Sequence, residues 1–317
     1  MITDRTVFIL GAGASKPYGF PTAAGLRKDI IYNFAQNFIR AQADHNAVPE
    51  TKVNLPKRYQ NLIDIFKKSS TKSIDLFLSR NKHFSEIGKK IIAFLIASYE
   101  EKSKFYEDID NPQYDWYMHF YDLLTNEISN PDNLIPLFEK NKVSFITFNY
   151  DRSLENFLHD SLINSFTTKT NEIYSLIFKI PIIHVYGKIA PLPWENPSFY
   201  LEYGSSHSFG FLDELVKNIK IIFEERTNNI EEAKKKISEA NKIYFLGFGY
   251  ADENLSALNF SSLLNEDHWI YGTAMGSTEV ERRKIISKLK GKNSRVHPEK
   301  IVIQDCDSVM LLRNHIG

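Results

Sequence analysis

Short apolar runs rich in β-branched and aromatic residues punctuate the chain at Val7–Leu10, Val143–Thr147, Ile182–Val185 and Ile243–Leu246, with a fifth at Ile301–Ile303. Each is followed by Gly, Asn, Asp or other polar turn residues, the pattern of parallel strands covered on both faces. The interval between the first two runs is too long for one crossover. Residues from about 26 to 140 read as mainly helical, with helical apolar spacing in Phe84-Ile87-Ile91-Phe94-Leu95 and in Trp116-Phe120-Leu124. The pattern predicts an α/β fold: one Rossmann-like domain over residues 1–317, its parallel sheet interrupted by a large helical insertion. Asp75, in Ser73-Ile74-Asp75-Leu76-Phe77-Leu78, reads as a capping or surface carboxylate on an otherwise apolar helix.

Composition narrows the function classes. The chain has 317 residues, of which 43% are hydrophobic, enough for a large core. Lys+Arg and Asp+Glu balance at 39 each, so no global field favours nucleic acid or a membrane surface. The basic stretch from Arg282 to Lys300 reads as a solvated helix face and a loop. The single cysteine, Cys306, excludes an intrachain disulfide and a cysteine-based zinc site. No apolar run reaches the length of a membrane span and no secretory leader opens the chain, so the expectation is a cytoplasmic protein.

The chemistry gathers at the strand ends, where open α/β sheets bind ligands. Val7 to Ser15 reads VFILGAGAS, a buried strand running into a turn of small residues. Gly11 and Gly13 permit positive φ, and the backbone N–H groups of Gly11, Ala12, Gly13, Ala14 and Ser15 can approach a phosphate at a helix start. Pro17 and the Gly19-Phe20-Pro21 segment then break the helix early. Lys16 stands where a dinucleotide fingerprint has its third glycine. Thr147-Phe148-Asn149-Tyr150-Asp151 closes the second run. Asn149 and Asp151 point the same way in extended geometry, and could hold a ribose hydroxyl, a water or a carboxamide. The bland alternative is an Asx turn with a helix cap at Asp151 or Ser153. In Ile183-His184-Val185-Tyr186-Gly187-Lys188, His184 and Tyr186 share one face and Gly187 permits close approach; His184 is a candidate general base. Gly247-Phe248-Gly249-Tyr250-Ala251-Asp252-Glu253-Asn254 offers another glycine turn, with Asp252 or Asn254 placed to cap a helix or meet a ribose. Gln304-Asp305-Cys306-Asp307 ends the last run, where a backbone edge could meet an adenine.

These residues together resemble the sirtuin superfamily. Its G-A-G-x-S loop and following G-I-P are matched by Gly11-Ala12-Gly13-Ala14-Ser15 and Gly19-Phe20-Pro21, its T-Q-N-x-D by Thr147, Asn149 and Asp151, and its late glycine turn by Gly247-Phe248-Gly249. The order holds from residue 7 to about 307. One cysteine cannot build the zinc module of the deacetylating members. The long insertion, with Ser73-Ile74-Asp75 and Asp115-Trp116-Tyr117, is instead similar to bacterial sirtuin-like NAD hydrolases of anti-phage defence. The family's catalytic His precedes the glycine, where this chain has Tyr186; His184 lies two residues earlier, roughly 7 Å along the strand. The resemblance implies NAD as substrate, with Asn149 and His184 catalytic. It implies NAD-binding positions at the residues 11–15, Phe20, Pro21, Thr22, Thr147, Asp151, Tyr186, Gly187, Gly247, Phe248, Gly249, Asp252, Asn254 and Cys306. It also implies a homo- or hetero-oligomer gated by a second defence protein, a HerA-type ATPase or a nucleotide-processing subunit. The alternative is a non-catalytic subunit that senses NAD or an ADP-ribose derivative.

Overall fold

The computed structural model describes every residue except 107–114, 168–169, 206–207, 222–223, 225–227, 292–294 and 317. Six strands form one parallel sheet: β1 Thr6–Leu10, β2 Val143–Thr147, β3 Ile182–His184, β4 Lys242–Leu246, β5 Trp269–Thr273 and β6 Ile301–Gln304. The order across the sheet is β3-β2-β1-β4-β5-β6, the doubly wound arrangement of a Rossmann-like fold. β1 and β2 are buried along their whole length, which is why their apolar runs show no alternation.

Five of these strands match the apolar runs, with small shifts at the ends. β3 stops at His184, although the Val185 N–H still donates to the Thr147 carbonyl at 2.9 Å. β5 was not anticipated. Its sequence, Trp-Ile-Tyr-Gly-Thr, carries a glycine at its centre, a composition that weakens a strand reading. The tertiary structure needs that glycine, because a Cβ at Gly272 would lie 2.2 Å from the Tyr250 hydroxyl oxygen.

Between β1 and β2 the chain runs through helices at Ala23–Tyr32, Phe34–Asn46, Lys57–Lys68, Ile74–Arg80, Ser85–Ser98, Trp116–Thr125 and Leu134–Phe138. The predicted apolar faces are inside: Phe84, Ile91, Phe94, Leu95, Trp116, Phe120 and Leu124 are all buried. Phe120 packs edge-on against Phe8 and Phe145 of the sheet, at 5.3 and 5.0 Å between ring centres. The insertion is also pinned by charge. Arg152, fully buried, donates to both carboxylate oxygens of Glu100 at 2.9 and 2.6 Å, and its remaining nitrogen reaches the carbonyls of Ala190, Pro191 and Leu201. Such a pair tolerates burial because each guanidinium nitrogen has an acceptor, whereas removing one partner leaves an uncompensated charge. The helix Glu279–Lys290 carries the basic stretch, of which residues 292–294 lie outside the described residues. Among the described residues no helix is long and apolar enough to cross a membrane.

The sheet order puts its switch point between β1 and β4, and there the turns after the two strands interlock. The Gly13 N–H donates to the Gly247 carbonyl at 2.9 Å and the Gly11 N–H to the Leu246 carbonyl at 3.1 Å. A Cβ on Gly247 would sit 2.0 Å from the Ala14 nitrogen, and Gly247 also has φ +55°. Gly249, two residues on, has nothing within 4 Å of the corresponding position. Gly247→Ala is therefore expected to cost more than about 2 kcal/mol in denaturant unfolding, while Gly249→Ala changes stability by less than about 0.5 kcal/mol. Equal effects at the two positions would show that the turns are not locked together.

Candidate functional site

The turn after β1 is sterically demanding in a way different from that expected. Gly11 is extended, with φ −115° and ψ 178°, and neither it nor Gly13 has positive φ. Their lack of a side chain serves contact instead: a Cβ on either would approach the Gly247 turn to 2.7 or 2.8 Å. The following helix is one turn long, Ala12–Ser15, and passes into a 3-10 turn at Lys16–Tyr18. The N–H groups of Gly11 and Gly13 are engaged by the second turn, and that of Ala14 by the Gly11 carbonyl at 2.9 Å. Among the described residues, the Ala12 N–H has no partner. The insertion supports this turn from behind. The Trp116 indole donates to the Ala14 carbonyl at 2.8 Å, and Tyr18, stacked on Tyr117 at 3.7 Å, donates to Asp115.

Asn149 lies beside this turn at the end of β2. Its Nδ2 donates to the Gly11 carbonyl and to Ser15 Oγ, both at 3.0 Å. An amide whose nitrogen is fixed by two acceptors has its carbonyl oxygen fixed as well. Among the described residues nothing donates to Asn149 Oδ1, and the residue is only half-buried. Two residues on, the Asp151 carboxyl accepts from the Ser153 N–H at 3.2 Å and from the Ser153 hydroxyl. Tyr117 closes the network on Ser153 at 2.7 Å. Asp151 thus forms an Asx turn with Ser153. Burial pushes the Asp151 carboxyl up, against the hydrogen bonds from Ser153.

His184 holds Asn149 from the other side. Its Nδ1 lies 3.0 Å from the Asn149 carbonyl oxygen and its Nε2 lies 2.7 Å from Glu155 Oε1. Both ring nitrogens are thus engaged by neighbouring oxygens. The side chain is 5% exposed. Neither nitrogen faces open space, so the arrangement gives His184 a positioning contact rather than a free ring nitrogen beside a ligand. It positions the Asn149 backbone. Lys188 Nζ also binds Glu155 Oε1, at 3.0 Å, and Glu195 at 2.6 Å. Burial alone would raise the Glu155 carboxyl, but Lys188 and His184 outweigh it and hold it well below the usual carboxylate range. Burial would lower the Lys188 ammonium; Glu155 and Glu195 keep it above its ordinary value.

Around Asn149 the other candidates divide. Phe148 lies between Tyr186 and Phe248, with ring centres 5.6 and 5.3 Å away, and makes an aromatic floor beside the two turns. The Tyr186 hydroxyl donates to Asn254 Oδ1 at 3.2 Å, tying the end of β3 to the helix Asp252–Leu258. Thr147 Oγ1 accepts from the Asn149 N–H at 3.1 Å and shapes the turn. Gly187 does not open an approach for a ligand: it has φ +75°, and the Asn218 carbonyl oxygen fills the place of its Cβ. Phe20 is buried in the core, and Thr22, after Pro21, caps the helix Ala23–Tyr32. Asp252 is paired with Lys288 at 3.0 Å and its side chain is 75% exposed. Cys306 follows β6, four strand spacings from β2, roughly 19 Å across the sheet. Burial pushes its thiol up to about 11.

One group, Thr273, went unread in the sequence, and a second, Asp75, takes a role other than the one expected. Thr273, from the unanticipated β5, accepts the Gly247 N–H at 2.9 Å and so holds the second turn. Asp75 is not a cap. Ser73 caps that helix, and Asp75 Oδ1 lies 2.7 Å from the hydroxyl of Tyr150, which is also 2.8 Å from the Lys220 carbonyl. Burial pushes the Asp75 carboxyl up. Its position between Asn149's neighbour Tyr150 and the insertion was signalled only by the unexplained carboxylate on an apolar helix.

The Glu155 cluster sets a pH dependence. Its folded pKa lies below the ordinary 4.5, so its stabilisation is complete above that value and is lost as pH falls toward the folded one. Between about pH 6 and about pH 3, the unfolding free energy of the wild type should fall more steeply than that of Glu155→Gln. Parallel curves would contradict the paired state of Glu155. Neither a family model nor a curated protein matches this chain, so its site rests on its own geometry.

Proposed function

We propose that the chain is a sirtuin-like NAD glycohydrolase, binding NAD over the interlocked turns after β1 and β4 and releasing nicotinamide. The observation that carries this reading is Asn149, whose Nδ2 is anchored by the Gly11 carbonyl and Ser15 and whose Oδ1 is unpartnered among the described residues. Cleavage of the bond between nicotinamide and ribose develops positive charge on the ribose. A fixed amide oxygen stabilises that charge, or holds a ribose hydroxyl or the attacking water, without reorganising at the moment of reaction. The departing nicotinamide takes the electron pair of the broken bond and leaves neutral, so no general acid is needed. Water adds to the anomeric carbon and its proton passes to solvent. That balance fits a site in which both ring nitrogens of His184 are engaged.

The turn at residues 11–15, with Ala12 N–H, faces the pyrophosphate in this reading, and Phe148, Phe248 and Tyr186 give an apolar wall. Gating by assembly, with a HerA-type ATPase or a nucleotide-processing subunit as partner in anti-phage defence, belongs to the same proposal and rests on the family resemblance. The engaged ring of His184 favours one second reading, a subunit that binds NAD or an ADP-ribose derivative without turnover.

Nicotinamide release from NAD separates the two, measured on the chain alone and with the proteins encoded beside it. The hydrolase reading expects release, and a fall of at least about 100-fold in Asn149→Ala, with the folded state retained by thermal denaturation. Undiminished release by Asn149→Ala would refute the assignment of Asn149. NAD binding with no release in either assembly would establish the sensing subunit.

A further inference from the structure

A cavity of about 550 Å³ lies at the outer edge of the sheet, away from the turns after β1 and β4. It is lined by Phe178, Pro181, Ile182, Lys188, Asn229 and Glu232, among others. β3 is the edge strand, and its ladder to β2 uses the Pro181 carbonyl, which accepts from Phe145 N–H at 2.8 Å, and the Val185 N–H. In a parallel ladder alternate residues face the neighbour, so Ile182 turns its N–H and C=O outward, side by side. Neither has a partner among the described residues. The next outward carbonyl, that of His184, is already taken by Asn229 Nδ2 at 2.8 Å, and among the described residues Asn229 Oδ1 has no donor. The helix Asn228–Glu239 lies beside this edge, so the space is a solvent-open recess sized for a small molecule rather than a run of open edge for another strand.

We propose that this cavity is a second ligand site, built for a neutral, nucleoside-sized molecule with a planar heterocycle. The donor and acceptor of Ile182 lie next to each other, as an amide-like heterocycle edge requires, and Asn229 Oδ1 accepts from an exocyclic amine. Phe178, Pro181 and Pro191 supply flat apolar walls. The volume falls within the range of small-molecule sites. A phosphate does not suit it: the one lining ammonium, Lys188, is shared by Glu155 and Glu195, and Glu232 adds a further carboxylate. The site is independent of the NAD reading. It is adjacent to that region's support, because Lys188 and His184 line the cavity and also lead through Glu155 to Asn149.

Hydrogen exchange on the full chain, with adenosine or guanosine as probe and inorganic phosphate as control, tests this. Either nucleoside should slow exchange of the Ile182 amide at concentrations up to about 5 mM, and phosphate should not. Glu232→Trp, at an exposed position, fills the mouth and should remove the protection while leaving the melting temperature unchanged. No protection at Ile182 by either nucleoside, protection confined to residues 11–15 and 247–250, or protection that survives Glu232→Trp would each overturn the proposal. None of these outcomes depends on nicotinamide release, so the two readings fail separately.

Discussion

Two glycine turns share one volume at the switch point of the sheet, and the rest of the site depends on that contact. Gly13 and Gly247 approach so closely that neither can carry a side chain, and the backbone bond between them fixes the turn after β1 against the turn after β4. Only with the first turn fixed does the Gly11 carbonyl offer a stable acceptor to Asn149. Close packing tolerates no slack here, because interiors respond to even one added methyl group. The parallel register delivers the partners: Leu10 is paired with Thr147 on one side and Leu246 on the other, so three strand ends stop at the same level.

The charged groups buried behind the turns are satisfied by one another, while the Tyr203 hydroxyl and the Trp194 indole nearby have no partner among the described residues. Asp151 is met by Ser153, His184 by Asn149 and Glu155, and Glu155 by Lys188. Arg152 and Glu100 extend this pairing to the insertion and to the segment around Pro191. Such networks are costly when half-made and rigid when complete. Their effect on function is indirect: they hold the Asn149 backbone from one side while Gly11 and Ser15 hold its side chain from the other. The amide oxygen is what remains to meet a ligand.

Much of this was legible in the sequence, and the failures have physical causes. The apolar runs located five strands because fully buried strands have few alternatives in composition. β5 escaped because Gly272 answers to Tyr250, a contact between residues 22 apart. Gly11, Gly13 and Gly187 were flagged as glycines rightly, but the reason was contact with Gly247 and Asn218, which local sequence does not encode. The strand-end position of His184 was readable. Its engagement was not, since Glu155 sits 29 residues earlier on the helix Ser153–Ser165 and a sequence does not state which ring nitrogen meets which partner. Asp75 looked like a surface carboxylate because its partner Tyr150 lies 75 residues away. Long-range pairing, in each case, decided the role.

A structure of the protein with ADP-ribose bound tests the central claim most directly. The account predicts a ribose hydroxyl within about 2.6–3.2 Å of Asn149 Oδ1, with the pyrophosphate against residues 11–15. A nucleotide seated elsewhere, or an Asn149 amide turned so that its nitrogen faces the ribose, would contradict it.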